Sequence, residues 1–144
     1  MTEVYVDTSA LAKWYVHEVF SLEFEQFINA VGQGVIARLA VVEFRCLLAR
    51  RRRAGSISGA AERAAFRDFE GDIKDGYWRI EPVHDAHMIG ALRLLEELKS
   101  VPLSTLDALH LAVARAAKAK LLATADRVLA EAAVALNIKT ENFF

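Results

Sequence analysis

With 144 residues, of which 54% are hydrophobic and 26% charged, the chain is long enough to bury a core, and we predict one domain over residues 1–144. This composition excludes a disordered segment, and a formal net charge of −1 excludes the overall basic field that marks many nucleic-acid-binding proteins. The chain has one cysteine, no start typical of a signal peptide and no apolar run near the roughly 20 residues that cross a bilayer, so we expect a cytoplasmic protein without a membrane segment.

Short apolar runs alternate with longer stretches of helical character along the chain. Strands are predicted near Glu3–Val6, Val35–Ala37, Arg79–Val83, Leu121–Thr124 and Ile138–Thr140. Helices are predicted near residues 9–17, 21–31, 39–54, 58–75, 85–99, 104–118 and 126–136. This alternation predicts an α/β fold, with a parallel sheet of about five strands and helices on both faces.

The predicted helix 39–54 ends in four consecutive arginines, Arg50–Arg53, followed by Gly55. A basic last turn and a glycine stop are typical of a helix C-terminus. Because consecutive helical residues point about 100° apart, the four arginines cannot form one face, and a solvated helix end is the first interpretation. Contact of one or two of them with phosphate is the alternative.

Two aspartates follow predicted strands closely. Asp7 comes directly after Val4-Tyr5-Val6, and Asp126 comes shortly after Leu121–Thr124. In open α/β sheets, ligands bind beyond the carboxyl ends of the strands. We therefore expect the two carboxylates to share one edge of the sheet.

Two further acids lie early in predicted helices. Asp107 is one turn into the helix that begins near Ser104, and Glu43 lies among apolar neighbours that would ordinarily exclude an unpaired charge. Carboxylates packed together repel one another unless a cation is present, and hard oxygen ligands without a convincing His or Cys set favour Mg²⁺ or Mn²⁺. Such a cluster suits phosphodiester hydrolysis by a metal-activated water.

Each of these residues also has a structural interpretation. Asp7 and Asp107 occupy positions that cap helices, and a structural ion pair of Glu43 with Arg38 or Arg45 is open. Four acids placed in this order favour the functional interpretation.

Two other residues near these acids are not singled out as candidates for the site. Cys46 is expected to be a buried, inert thiol. His110 belongs to the inner stripe of its helix, and no other histidine lies at a spacing that would make the two a metal-ligand pair.

The order and spacing of four segments resemble the PIN-domain family: Val4–Leu11, Glu43 within a helix, Leu103–Ala112 and Ala123–Asp126. The resemblance covers essentially the whole chain, and within the family the chain looks like the VapC-type toxins of prokaryotic toxin–antitoxin pairs. It implies a sheet between helices and cleavage of RNA that depends on Mg²⁺ or Mn²⁺. It also implies homodimerisation, and inhibition by a small antitoxin that binds promoter DNA and forms a higher assembly with the toxin.

The same resemblance implies a catalytic and metal-binding cluster of four acids: Asp7, Glu43, Asp107 and Asp126. Among these, Asp7 and Asp107 are expected to be the main metal ligands. Supporting hydrogen bonds to carboxylates or metal-bound water are expected from three hydroxyl side chains: Thr8, Ser9 and Thr124. Many relatives carry another acid or amide soon after the position of Asp126, where this chain has Arg127–Leu129, and this difference bears on the affinity for a second metal ion.

Two other functions fit part of the pattern. An aspartyl-phosphate phosphatase has a nucleophilic aspartate after a strand, as Asp7 is, but it has a second acid where this chain has Ser9. A non-catalytic module that keeps the fold and binds RNA or a protein is the other alternative.

Overall fold

The computed structural model describes residues 2–144 and contains, within them, one sheet of five parallel strands and seven helices. The strands are β1 (Thr2–Val6), β2 (Gly32–Ala37), β3 (Trp78–Glu81), β4 (Leu121–Thr124) and β5 (Lys139–Asn142). The helices are α1 (Thr8–Tyr15), α2 (Ser21–Val31), α3 (Arg38–Arg53), α4 (Gly59–Lys74), α5 (Asp85–Glu97), α6 (Thr105–Ala116) and α7 (Arg127–Ala135). None of these helices has both the length and the apolar character needed to cross a membrane.

The strand order across the sheet is β3-β2-β1-β4-β5, and every neighbouring pair is parallel. The chain first builds outward from β1 through β2 to β3, and then adds β4 and β5 on the opposite side of β1. Strand order therefore reverses between β1 and β4, and such a switch point leaves a crevice at the carboxyl ends of the two strands.

Both faces of the sheet are covered by helices. Side chains alternate along β1, so Val4 and Val6 pack in the cluster with α1–α4 while Tyr5 packs in the cluster with α5–α7. The α/β class, the five parallel strands and the two helical layers confirm the fold predicted from the sequence.

Strand ends differ by a few residues from the prediction. The largest difference is at β2, which begins at Gly32 and not at Val35, because Gly32 and Gly34 still pair with Thr2 and Val4 of β1. Backbone pairing needs no side chain, so an apolar pattern cannot reveal this start.

Gly34 is where β2 passes closest to the indole of Trp78 on β3. A Cβ added at Gly34 would lie 2.4 Å from a Trp78 ring carbon. The ring is 5% exposed, and its Nε1–H donates to the Tyr15 hydroxyl over 2.7 Å. The indole therefore has little room to move away.

We predict that Gly34→Ala lowers the free energy of unfolding by about 1–3 kcal/mol, the usual cost of overpacking. Urea unfolding monitored by circular dichroism measures the change. Gly71→Ala is the matched control, since an added Cβ at this helical position meets nothing within 4 Å, and alanine should stabilise α4 by up to about 1 kcal/mol. Equal stability of the Gly34→Ala variant and the wild type would contradict the close packing.

Candidate active site

The crevice at the switch point is an open cleft of about 680 Å³. It is lined by all four acids that the sequence singles out: Asp7, Glu43, Asp107 and Asp126. We call it the acidic cleft. The acids come from four segments: the residue after β1, the face of α3, the first turn of α6 and the turn between β4 and α7.

Asp7 is the most buried of these acids, at 5% exposure. Its carboxylate caps α1 by accepting from the Ala10 backbone N–H over 3.1 Å. The Ser9 hydroxyl donates to the same carboxylate over 2.8 Å, and the Thr124 hydroxyl donates to Oδ2 over 2.9 Å. Burial raises the pKa of Asp7, and these hydrogen bonds oppose the rise.

The two hydroxyls that donate to Asp7 also fix the turn after β4. Ser9 Oγ accepts from the Ala125 backbone N–H, and Thr124 Oγ1 accepts from the Asp126 backbone N–H, each over 2.9 Å. The turn that carries Asp126 is thus tied directly to the carboxylate at the end of β1.

Asp107 and Asp126 both cap helices. Asp107 Oδ2 accepts from the Ser104 backbone N–H over 3.0 Å, and Asp126 Oδ1 accepts from the backbone N–H groups of Val128 and Leu129. Both aspartates therefore cap helices and line the acidic cleft at the same time. Among residues 2–144, no donor contacts Asp107 Oδ1 or Asp126 Oδ2.

Glu43 has one partner of the kind expected from the sequence, Thr8, and one that the sequence did not indicate, His110. Its Oε1 accepts from the Thr8 hydroxyl over 2.8 Å and lies 2.6 Å from His110 Nε2. The alternative of a structural ion pair with Arg38 or Arg45 is wrong. Within residues 2–144 His110 is the only ion-pair contact of Glu43, and Arg45 bonds to Glu62 on α4.

His110 is the main residue that sequence reasoning missed. It is 3% exposed, and its two ring nitrogens contact Glu43 and the Tyr5 hydroxyl. The feature of the sequence that could have pointed to His110 was its position one turn after Asp107 on the inner face of α6. Its partners are 67 and 105 residues away in the chain, and spacing between histidines does not reveal them.

Cys46 lies on the surface of the acidic cleft, so the prediction of a buried thiol is wrong. The cause is the orientation of α3, which turns Glu43, Cys46 and Arg50 toward the cleft while Phe44 and Leu48 enter the core.

The arginines at the end of α3 have different surroundings. Arg51 pairs with Glu18 over 2.7 Å and Arg52 pairs with Glu62 over 2.6 Å. Arg50 is the only lysine or arginine among the described residues that lines the acidic cleft. The interpretation of these arginines as a solvated helix end is therefore incomplete, because two of them form ion pairs and one lines the acidic cleft.

The acidic cleft has the donor chemistry for a hard divalent cation. Within residues 2–144, however, no three His, Cys, Asp or Glu side chains are placed to hold a metal ion together. Mg²⁺ does not need such a cage, because it commonly uses one or two protein carboxylates and keeps several waters or substrate oxygens. The carboxylate oxygens in the cleft that accept no hydrogen bond fit that mode of binding.

The raised pKa of Asp7 predicts that Asp7→Asn stabilises the metal-free protein at neutral pH. An acid whose pKa is higher in the folded state than in the unfolded state lowers the free energy of unfolding as pH rises from the unfolded-state pKa to the folded-state pKa. Above the folded-state pKa the whole of this deficit in stability is present. The asparagine variant lacks this deficit. Its melting temperature in EDTA should exceed that of the wild type at pH 7.5, and the difference should close toward about pH 4.

Asp75→Asn, at an exposed position at the end of α4, is the control for this measurement and should change stability by less than about 0.5 kcal/mol at either pH. A gain for Asp7→Asn that is the same at pH 4 and pH 7.5 would contradict the proposed cause.

Solved structures with the same fold come from several bacteria. VapC20 of Mycobacterium tuberculosis, described as a toxin that cleaves the sarcin-ricin loop, has 21% identity and a TM-score of 0.70, with 90% of this chain and 94% of that chain covered. FitAcB of Neisseria gonorrhoeae has 14% identity and a TM-score of 0.75, with 96% of each chain covered. A toxin–antitoxin complex from Klebsiella pneumoniae has 18% identity and a TM-score of 0.59, with 85% and 86% covered.

At the level of sequence, no curated protein matches the chain. The family model described as the PIN domain matches residues 4–135, which include the acidic cleft, the strands β2, β3 and β4, and the last three residues of β1. The chain belongs to the PIN domain family.

Proposed function

We propose that this protein is a metal-dependent endoribonuclease and the toxin of a type II toxin–antitoxin system. The observation that carries the proposal is the meeting of four carboxylates from separate segments in one open cleft at the switch point of the sheet. Membership of the PIN domain family supports the nuclease activity. The similar folds of an RNA-cleaving toxin and of a toxin–antitoxin complex support the toxin role.

The carboxylates of the acidic cleft differ in how many of their oxygen lone pairs accept no hydrogen bond. Asp107 Oδ1 and Asp126 Oδ2 accept no hydrogen bond from the described residues. Asp7 offers about four lone-pair sites, and the donors from Ser9, Ala10 and Thr124 occupy three of them. Mg²⁺ or Mn²⁺ bound by one or two of these carboxylates, with the others reaching it through bound water, would lower the pKa of a water and stabilise charge on the phosphate.

Glu43 is the group best placed to handle a proton. Its Oε1 is engaged by Thr8 and His110, whereas among residues 2–144 no donor contacts Oε2. In the proposed reaction Glu43 Oε2 accepts a proton from a water in the acidic cleft, and the oxygen of that water bonds to phosphorus. The P–O bond to the leaving sugar oxygen breaks, and that oxygen takes up a proton, so the sum is addition of water across one phosphodiester.

Exposed apolar side chains support the proposal that this protein binds protein partners, as a toxin of this kind would. One group lies around α1 and α2: Trp14, Val19, Phe20 and Leu22. A second lies on α5: Met88, Ile89, Leu92 and Leu95. Clustered apolar surface of this kind usually marks a protein interface. Two such surfaces suit a homodimer that also binds a small antitoxin.

The contacts of Asp7 weigh against the phosphatase alternative. Ser9, which stands where such an enzyme has its second acid, donates to Asp7.

Cleavage of RNA is the direct test of the proposed function. Purified, antitoxin-free protein incubated with total RNA and Mg²⁺ or Mn²⁺ should cut at discrete positions that sequencing of the fragments maps. EDTA should stop the reaction, and Asp7→Asn should slow it at least about 100-fold, because a catalytic carboxylate typically contributes that much or more. Asp75→Asn, outside the acidic cleft, should cut at the wild-type rate. Cuts that persist unchanged in Asp7→Asn would refute the assignment.

Arg50 is predicted to contact the phosphate backbone of bound RNA. A lone arginine beside four carboxylates has no salt bridge within the described residues and is suited to an anionic substrate. With the slowly cutting Asp7→Asn protein as background, Arg50→Ala should weaken RNA binding and reduce the slope of log K against log salt by about 0.7 to 1.

Arg53→Ala is the matched control for Arg50, because it removes the same charge from the same turn of α3 but from outside the acidic cleft. Fluorescence anisotropy at several salt concentrations gives both slopes. Identical slopes for the two variants would show that the effect is one of total charge and not of a contact at Arg50.

A further inference from the structure

A continuous chain of buried hydrogen bonds leads from the central strand to the acidic cleft. The Tyr5 hydroxyl lies 2.7 Å from His110 Nδ1, and His110 Nε2 lies 2.6 Å from Glu43 Oε1. Tyr5 is 1% exposed and His110 is 3% exposed. The chain joins β1, α6 and α3, and its last two members, His110 and Glu43, line the cleft.

The contacts select one tautomer of the imidazole. The Tyr5 hydroxyl hydrogen is buried and needs an acceptor, and within residues 2–144 His110 Nδ1 is its only hydrogen-bond partner. Nδ1 must then be the acceptor, and the ring hydrogen sits on Nε2, from which it is donated to Glu43.

This donation decides which oxygen of Glu43 faces the acidic cleft. Glu43 has a long side chain that would otherwise sample several rotamers. Two donors, His110 Nε2–H and the Thr8 hydroxyl, converge on Oε1 from different elements. With Oε1 held on both sides, Oε2 is the oxygen left to the cleft.

We propose that His110 is a positioning residue that acts through Glu43: Tyr5 fixes its tautomer, and its Nε2–H holds Glu43 Oε1 so that Oε2 is presented to the water and the scissile phosphate. This role rests on the proposed nuclease function. It resembles the way in which outer hydrogen-bond partners orient the groups that touch a reacting centre, where their loss typically costs 10–100-fold.

The tautomer is tested by NMR on uniformly ¹⁵N-labelled wild-type protein, without RNA. Long-range ¹H–¹⁵N correlations are assigned to His110 by their absence in His110→Gln. The expected pattern has the ring hydrogen on Nε2, and Tyr5→Phe should shift the Nδ1 resonance because it removes the donor. Tyr15→Phe, which removes another part-buried tyrosine hydroxyl, should leave it in place. Hydrogen on Nδ1 in the wild type would overturn the proposal.

Kinetics test whether the effect passes through Glu43. His110→Leu should lower kcat about 10–100-fold and leave KM for RNA within about twofold, and His110→Gln, which keeps a donor, should recover most of the rate. In a Glu43→Gln background, His110→Leu should cost nothing further, because the two changes remove one function. Additive losses would overturn the positioning role.

The outcomes separate this inference from the proposed function. A wild-type protein that cleaves no RNA under Mg²⁺ or Mn²⁺ overturns the nuclease and, with it, the positioning role. An active wild type with an equally active and folded His110→Leu variant overturns the positioning role alone. If His110→Leu does not fold, as its melting curve would show, His110→Gln and the NMR pattern still decide the question.

Discussion

A carboxylate buried at the end of the central strand is the constraint on which the site depends. Asp7 cannot be satisfied by water at 5% exposure, so it takes its hydrogen bonds from neighbouring elements. Ser9 on α1 and Thr124 on β4 donate to it, and their oxygens in turn accept from the backbone N–H groups of Ala125 and Asp126. Holding this one charge therefore fixes the edge of the sheet on which the other acids are assembled.

The structural and the functional interpretations of the acids describe the same arrangement. Asp7, Asp107 and Asp126 each cap a helix, and those helices, α1, α6 and α7, all begin at the acidic cleft. Helix N-termini carry a partial positive charge that stabilises nearby carboxylates and attracts phosphate. The partial charges of these three helix ends offset part of the repulsion among the four acids, and a divalent cation would offset more.

The sequence predicted what depends on local pattern. Alternating apolar runs predicted the parallel sheet, and the positions of Asp7 and Asp126 just after strands placed both acids at its edge. The contact of Glu43 with His110 and the exposure of Cys46 were beyond this reasoning, because both depend on how α3 is rotated against β1 and α6. His110 contacts residues 67 and 105 positions away, and one sequence carries no signal for such a pair.

The rotation of α3 also places Glu43 and Arg50 together in the acidic cleft. Glu43 and Arg50 are seven residues apart, which is about two turns and about 10 Å along a helix, so they project from the same face. One rigid element thus carries the acid that we propose His110 orients and the arginine that we propose contacts the RNA backbone. A shift of α3 relative to β1 would displace both together. The hydrogen bonds from Thr8 and His110, which anchor α3 at Glu43, therefore set the position of the substrate contact as well as that of the acid.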